Sequence, residues 1–327
     1  MTTVAISAVV VNHNRADLLG DCLDSLREAL GRVPEGGEMI VVDNASADNS
    51  RELVRARGDV TLIELPQNRG FATAVEEGRR VAAGEWILLV NNDARLEPDA
   101  AVELLRVGRT RDHVGSVAAQ MLFDRMPPTI NSAGLVVDRL GVVYDRLLGA
   151  PVNDSSETVE EVFGASGGAA LYRGSMLDEI GGFDPSFFLF VEDADVAWRA
   201  QMSGWRCLYA PAAVVHHRHS ATVGHRSSIK HYHVGRNRIR LLAKNADPGL
   251  LWRYGAAMVA YDIFYVLVHA VIDRTLAPAR GRLAGLRDWR TYRRAGAAGR
   301  RPVELTRFRG LRAAAERRSA YLQGGAP

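Results

Sequence analysis

Apolar and polar residues along the first third of the chain switch repeatedly between two patterns. Residues 5–11 are an unbroken apolar, β-rich run, which predicts a strand buried on both faces. Leu18, Leu19, Cys22, Leu23, Leu26 and Leu30 then recur at helical spacing and predict a helix over 15–30. The exchange continues with strands over 39–42, 60–64 and 86–90 and helices over 50–57, 71–83 and 99–108. Repeated strand–helix units predict an α/β fold, a doubly wound and mostly parallel sheet with helices on both faces. Ligands of such sheets lie beyond the carboxyl ends of the strands. The polar clusters that follow the apolar runs are therefore the candidates: Asn12-His13-Asn14, Asp43-Asn44, Asn68-Arg69-Gly70 and Asn91-Asn92-Asp93.

From 117 to 162 the pattern breaks into short β-like pieces with turns, predicting an insertion or a mixed, partly antiparallel region. Residues 164–168 are too glycine-rich for a core element, and 175–180 and 194–203 read as helices. Residues 250–272 are the most apolar stretch. Arg253, Asp262 and His269 interrupt it, so it falls short of a clean membrane span.

With 47% hydrophobic and 24% charged residues, the 327-residue chain has soluble-globular composition and length for one large domain or two smaller ones. Cys22 and Cys207 are its only cysteines; this argues against a disulfide framework or zinc cluster and suits a reducing compartment. The first residues lack a basic region and a small-residue cleavage site, and are expected to form a strand, not a signal peptide. The net charge of +3 hides an asymmetry, because Arg280 to Arg318 holds thirteen arginines against three acids on an otherwise acidic chain. Nucleic acid and anionic membrane are both candidate partners of such a tail.

Four groups of residues carry chemistry. Asp43 at a strand end is placed either to accept the N3–H of a uracil or thymine ring or, with Ser46, to cap the next helix. Asp93 ends the Asn91-Asn92-Asp93 cluster, where a carboxylate can hold a hard divalent cation that neutralises a leaving diphosphate. Capping the following helix is its alternative role, although Asp99 lies nearer that helix. Glu192-Asp193 lies between the aromatic run 187–190 and a helix; burial beside rings raises a carboxyl toward a general base. Helix starts also collect acids, but Glu-Asp-Ala-Asp has three where capping needs one. His216, His217 and His219 follow a strand-like pair, and an imidazole there can complete a metal shell begun by Asp93. Arg69 offers a cation for phosphate beside Gly70, which permits close backbone approach; a plain strand-to-helix turn explains the pair equally.

The segments VVVNHNR, VVDNAS, LPQNRGFATA, WILLVNNDARLEPDA, GASGGAALYR, GGFDPSFFLFVEDADVAWRAQMSGWR and APAAVVHHRHSA occur in this order over about residues 5 to 245. Together they resemble the family 2 inverting glycosyltransferases of the GT-A fold, in the rhamnosyltransferase-like branch. The resemblance implies Asp43 on the nucleobase, Asp93 as the metal-binding acid, Asp193 as catalytic base with Glu192 beside it, and a histidine on the metal, aligned better as His217 than His216. It places Asn12, Asn14, Asn68, Arg69, Gly70, Asn91, Asn92, Ser166 and Gly167 about the donor. The metal would be Mn2+ or Mg2+. The donor would be a dTDP- or UDP-linked sugar, with dTDP-rhamnose suggested. The acceptor would be a saccharide or lipid-linked hydroxyl in surface polysaccharide or glycolipid assembly. Two departures stand out: Asn-Asn-Asp replaces Asp-x-Asp, and Glu76 and Glu77 stand where the family often has asparagine.

The expected organisation is a catalytic domain over 1–248, divided into a nucleotide-binding half (1–115) and an acceptor half (116–248), with a helical, arginine-rich extension over 249–327. The apolar stretch followed by arginines predicts a cytoplasmic enzyme held peripherally on the inner face of the membrane. Nucleic acid is not expected as a partner, since the tail has scattered aromatics and no recognisable module. Two other functions compete. A sugar-phosphate nucleotidyltransferase would carry a glycine-rich loop after the first strand, where this chain has Asn12-His13-Asn14-Arg15. A non-catalytic carbohydrate- or membrane-binding protein is disfavoured by retention of Asp43, Asp93 and Asp193.

Overall fold

The computed structural model describes residues 4–218, 227–296 and 302–307. The chain opens with β1 (Ile6–Asn12), α1 (Ala16–Gly31), β2 (Gly37–Asp43), α2 (Ser50–Arg55), β3 (Val60–Glu64), α3 (Phe71–Val81) and β4 (Trp86–Asn91). Alternation within the strands divides the core between two faces. Ile6, Ala8 and Val10 of β1 join Leu19, Leu23 and Leu26 of α1 on one side, whereas Val9 meets Ala74 and Val75 of α3 on the other. Strands β3, β2, β1 and β4 are mutually parallel, as the sequence predicts.

Next come β5 (Ala94–Leu96), α4 (Ala100–Gly108) and β6 (Val114–Phe123). Four short strands follow: β7 (Ile130–Ser132), β8 (Leu135–Val137), β9 (Val143–Asp145) and β10 (Glu160–Val162). Then come β11 (Ala169–Arg173), α5 (Gly174–Ile180), α6 (Glu192–Met202) and β12 (Arg206–His217). One ten-stranded sheet runs in the order β10-β12-β6-β11-β4-β1-β2-β3, with β5 on β12 and β7 on β6. It is mixed, because β11 lies antiparallel between β4 and β6. The parallel strands β3, β2, β1 and β4 with mixed pairing beyond them match the expected parallel sheet with a smaller, partly antiparallel acceptor-side region. Within 117–162 the short strands β7 to β10 are as expected, but the segment opens within β6, a ten-residue strand buried at every position.

The remaining helices are α7 (Ser228–Asn245), α8 (Pro248–Ile272), α9 (Ala277–Arg287) and α10 (Trp289–Ala295). Helix α9 lies so close on α7 that a Cβ at Gly281 would stand 2.1 Å from the Tyr232 carbonyl oxygen. Residue Thr306 exchanges backbone hydrogen bonds with Val137 and Arg139. Arg282 is buried on Asp262, and Arg293 donates to the Ala246 carbonyl. Part of the arginine-rich segment is therefore structural, not a solvated tail.

Candidate active site

The carboxyl ends of β1, β2 and β4 meet at one edge of the sheet, where a cleft of about 240 Å³ opens. Its lining includes Asn68, Gly70, Asn91, Asn92, Asp93 and His217 from the sequence-derived candidates. His13 and Asn44, from the same strand-end clusters, also line it, and Phe71, Phe188, Phe190 and Lys230 join them.

Asp93 and His217 are brought together from 124 residues apart, with His217 Nε2 3.0 Å from Asp93 Oδ1. The backbone ladder dictates this meeting: β12 pairs antiparallel with β5 so that His217 stands opposite Ala94, and Arg218 donates its amide to the Asp93 carbonyl at 3.0 Å. Both side chains are buried. His217 Nδ1 lies 2.9 Å from Asn131 Oδ1, an acceptor that orients the ring and would keep the Nδ1 proton when a cation between Nε2 and Asp93 takes the Nε2 lone pair. Burial works against ionisation of Asp93, but the adjacent His217 prevails and holds the carboxyl below its usual range. A carboxylate oxygen and an imidazole nitrogen suit a divalent cation. Two adjacent ligands of an octahedral ion, each about 2.1 Å from it, sit about 3 Å apart, which is the observed spacing. His216 points elsewhere, to Glu97 at 2.8 Å, and His219 lies outside the described residues. Asp99 occupies the position before α4, but its side chain pairs with Arg32 at 2.7 Å and caps nothing.

Asp43 is buried at the end of β2. It accepts from the Ser46 amide at 3.0 Å and pairs with Arg51 at 2.6 Å, so it organises the turn at 43–46 and not the start of α2. Asn12, also buried, donates to Ser46 Oγ at 3.2 Å and accepts from Asn92 at 2.7 Å. Asn14 takes a left-handed φ of 55° and receives the Ala47 amide at 2.6 Å. These residues hold the loop beside the cleft; Asn12, Asn14 and Asp43 do not line it. Arg69 turns to Glu77 at 2.9 Å, away from the cleft. A half-buried cation that lines the cleft is Lys230 of α7, over the Phe190 ring at 5.6 Å. Glu76 is a structural acid that receives the Phe183 amide at 2.7 Å and pairs with Arg79.

A tightly turned loop closes one wall. Phe188, Phe190 and Val191 all have positive φ, between 66° and 73°, costly for such residues. Asn237, fully buried on α7, holds them by donating to the carbonyls of Phe187, Leu189 and Phe190 at 2.7 to 2.9 Å. The Phe188 carbonyl accepts the Phe71 amide at 2.6 Å. Gly70 is required there, because a Cβ would lie 2.5 Å from the Phe188 ring.

The same loop delivers Glu192 and Asp193 to the first turn of α6. Asp193 accepts the Gly167 amide at 3.0 Å and the Ala194 amide at 2.8 Å. Ser166 and Gly167 form the turn beneath it, and Gly167 lies near the Phe71 ring that faces the cleft. Burial raises Asp193 to about 6. Burial, then the Asp193 charge, pushes Glu192 up to about 8, and Glu192 Oε2 is buried with no hydrogen-bond partner among the described residues. The third acid is structural: Asp195 pairs with Arg199 and Lys244, which overcome its burial and bring it down to about 2. The residues that the sequence did not reveal are Asn131, Lys230 and Asn237. Each is a lone polar residue, and no local pattern marks it.

A family model described as glycosyl transferase family 2 matches residues 7–181. The poly-beta-1,6-N-acetyl-D-glucosamine synthase of Staphylococcus aureus is 24% identical over 213 residues, 64% of this chain and 48% of that protein. The chain thus spans about half the length of the curated relatives it matches. GalNAc-T7 with UDP, GalNAc and Mn2+ superposes with a TM-score of 0.61 at 15% identity, over 77% of this chain and 50% of that one. A mannosyltransferase from Pyrobaculum calidifontis with GDP-Man and Mn2+ gives 0.54 at 20% identity, over 89% and 84%. These likenesses identify the fold as GT-A.

Proposed function

The chain belongs to glycosyl transferase family 2, and from that premise we propose that it is an inverting, metal-dependent transferase that moves a sugar from a nucleoside diphosphate to an acceptor hydroxyl. The observation that carries the reading is the Asp93–His217 pair, 3.0 Å apart at the cleft, with His217 oriented by Asn131. These two residues would hold Mn2+ or Mg2+, the former being bound by both structural neighbours. When bound, the cation supplies Lewis-acid neutralisation of the diphosphate. Asn91 and Asn92 offer only neutral contacts in place of a second carboxylate.

In the proposed reaction Asp193 accepts the proton of the acceptor hydroxyl. The hydroxyl oxygen bonds to the anomeric carbon as the bond to the diphosphate oxygen breaks, and the nucleoside diphosphate leaves. Asp193 suits this role because burial raises its carboxyl toward neutrality while two amides keep the carboxylate oriented. Asp43, held by Arg51 and Ser46, braces the loop on the base side of the donor, and Asn12, Asn14, Asn68, Gly70, Ser166 and Gly167 shape the donor loop. Arg69 is a weaker candidate for phosphate than Lys230, whose ammonium faces the cleft. Residues 1–248 act as the catalytic unit, with the nucleotide over 1–115 and the acceptor over 116–248, and 249–327 form the extension. The donor is a dTDP- or UDP-sugar, dTDP-rhamnose first among them. The acceptor is a saccharide or lipid-linked hydroxyl of a surface polysaccharide, met on the cytoplasmic side of a membrane. The family match does not favour a nucleotidyltransferase.

The test is transfer and thermal stabilisation with a panel of dTDP- and UDP-sugars, with and without Mn2+. Chelation or Asp93→Ala should abolish transfer and the metal-dependent part of donor stabilisation. Full transfer by the chelated enzyme refutes the metal assignment.

A further inference from the structure

Helix α8 reverses the usual arrangement of a surface helix, which buries an apolar stripe and exposes a polar one. Its protein-facing side carries its polar groups. Tyr254 receives Arg139 at 3.2 Å, and Asp262 accepts Arg238 and Arg282, both buried. Its outward side is apolar: Trp252 is 91% exposed, Val259 59%, Ile263 57%, Leu267 59% and Val271 76%. These positions, with Ala256 and Ala260 between them, recur every three or four residues and form one continuous stripe. Water is a poor neighbour for such a stripe, and lipid a good one.

We propose that α8 is an anchor that lies in the plane of an anionic bilayer, with the Trp252–Val271 stripe in the boundary between headgroups and acyl chains. By length and composition α8 could cross a membrane. It is about 37 Å long against a hydrocarbon core of about 30 Å. The ion triad of Arg238, Asp262 and Arg282 decides against crossing, because it pins the middle of α8 to α7 and α9 of the folded body. A crossing α8 would draw those helices into hydrocarbon together with Arg236, Arg240 and Lys244. Charge selects the bilayer over a second copy of the chain. Arg253, Arg274, Arg280, Arg287 and Arg290 are exposed along and just beyond the helix. Two copies packed stripe to stripe would oppose arginine to arginine, whereas each arginine near an anionic surface strengthens binding about fivefold. This anchor deepens the lipid-side acceptor of the proposed function. Vesicle binding needs neither donor nor cation, so the two readings fail separately.

The test uses the full chain and vesicles of phosphatidylglycerol with phosphatidylcholine, with phosphatidylcholine alone as the neutral control. The wild type should sediment with the anionic vesicles and be released by high salt. Lipids brominated in their tails should quench a part of its tryptophan emission that Trp252→Phe lacks. The double variant Ile263→Asp, Leu267→Asp should bind at least about tenfold more weakly at an unchanged melting temperature, since both side chains are mostly exposed. Trp252→Asp gives the same reading should the double variant fold poorly. The proposal is overturned by absence of sedimentation or by undiminished binding of the folded variants. It is also overturned by release only in detergent, which marks a crossing helix, or by a dimer that the variants dissociate.

Discussion

Glu192 should make the folded protein lose stability as pH rises, and Glu192→Gln should remove that loss. The carboxyl ordinarily titrates near 4.5, and burial with the Asp193 charge moves it to about 8 in the folded chain. The folded state therefore holds the proton more tightly than the unfolded state. The stabilisation this gives is complete below 4.5 and is lost as pH climbs to about 8. Across that window the slope for a single group is about 1.4 kcal/mol per pH unit, and the whole effect is on the order of 3–5 kcal/mol. Glutamine has the same shape and no proton to lose. It adds a constant offset, because its amide meets the same unpartnered surroundings as Glu192 Oε2, but no pH dependence. Guanidinium unfolding of both proteins at each unit from pH 5 to pH 8 gives the comparison. The stability of the variant minus that of the wild type should grow steadily with pH. Parallel curves would show that Glu192 ionises in the folded protein as it does in water, and the burial argument would be wrong.

Asp193→Asn should cost on the order of 10²–10⁴ in turnover while donor and metal still bind; in the wild type the rate should rise with pH through about 6, because the base acts only when ionised. A dead Glu192→Gln beside an active Asp193→Asn would move the base by one residue. Asn131→Ala frees the His217 ring and should weaken Mn2+ affinity about 10–100-fold, read as the Mn2+ concentration that half-saturates donor stabilisation. Unchanged affinity would mean that Asn131 has no part in orienting the ring.

The first four strands and their helices were legible because the strands are short apolar runs and the helices between them repeat apolar residues near 3.6. The direction of β11 was not, since Ala169–Arg173 is an apolar run that reads alike in a parallel or an antiparallel strand. Strand β6 was broken in the sequence by Ser116 and Gln120, which are buried but polar. Helix α7 escaped notice for a related reason: its buried face interleaves His231, Asn237, Arg238 and Asn245 with Ile239, Leu241, Leu242 and Ala243, which blurs the apolar period. Asp93 and Asp193 stand out because they follow apolar runs at strand and loop ends. Arg69 stood out equally, yet it is paired with Glu77, and the cation at the cleft comes from Lys230, far along the chain. What is local in the site can be read from the sequence; what tertiary packing imports cannot.

The pairing of β12 also governs the order in which the molecule can become competent. This strand is the last of the sheet to be synthesised, and it lies between β10 and β6 while also covering β5. Its final residue is His217. A growing chain that has reached only α6 already contains Asp93, Glu192 and Asp193. It still has an unsatisfied edge along nine of the ten residues of β6, an invitation to aggregate, and half of the Asp93–His217 pair. The event that seals the edge is the one that delivers the imidazole, so structural completion and chemical competence arrive together.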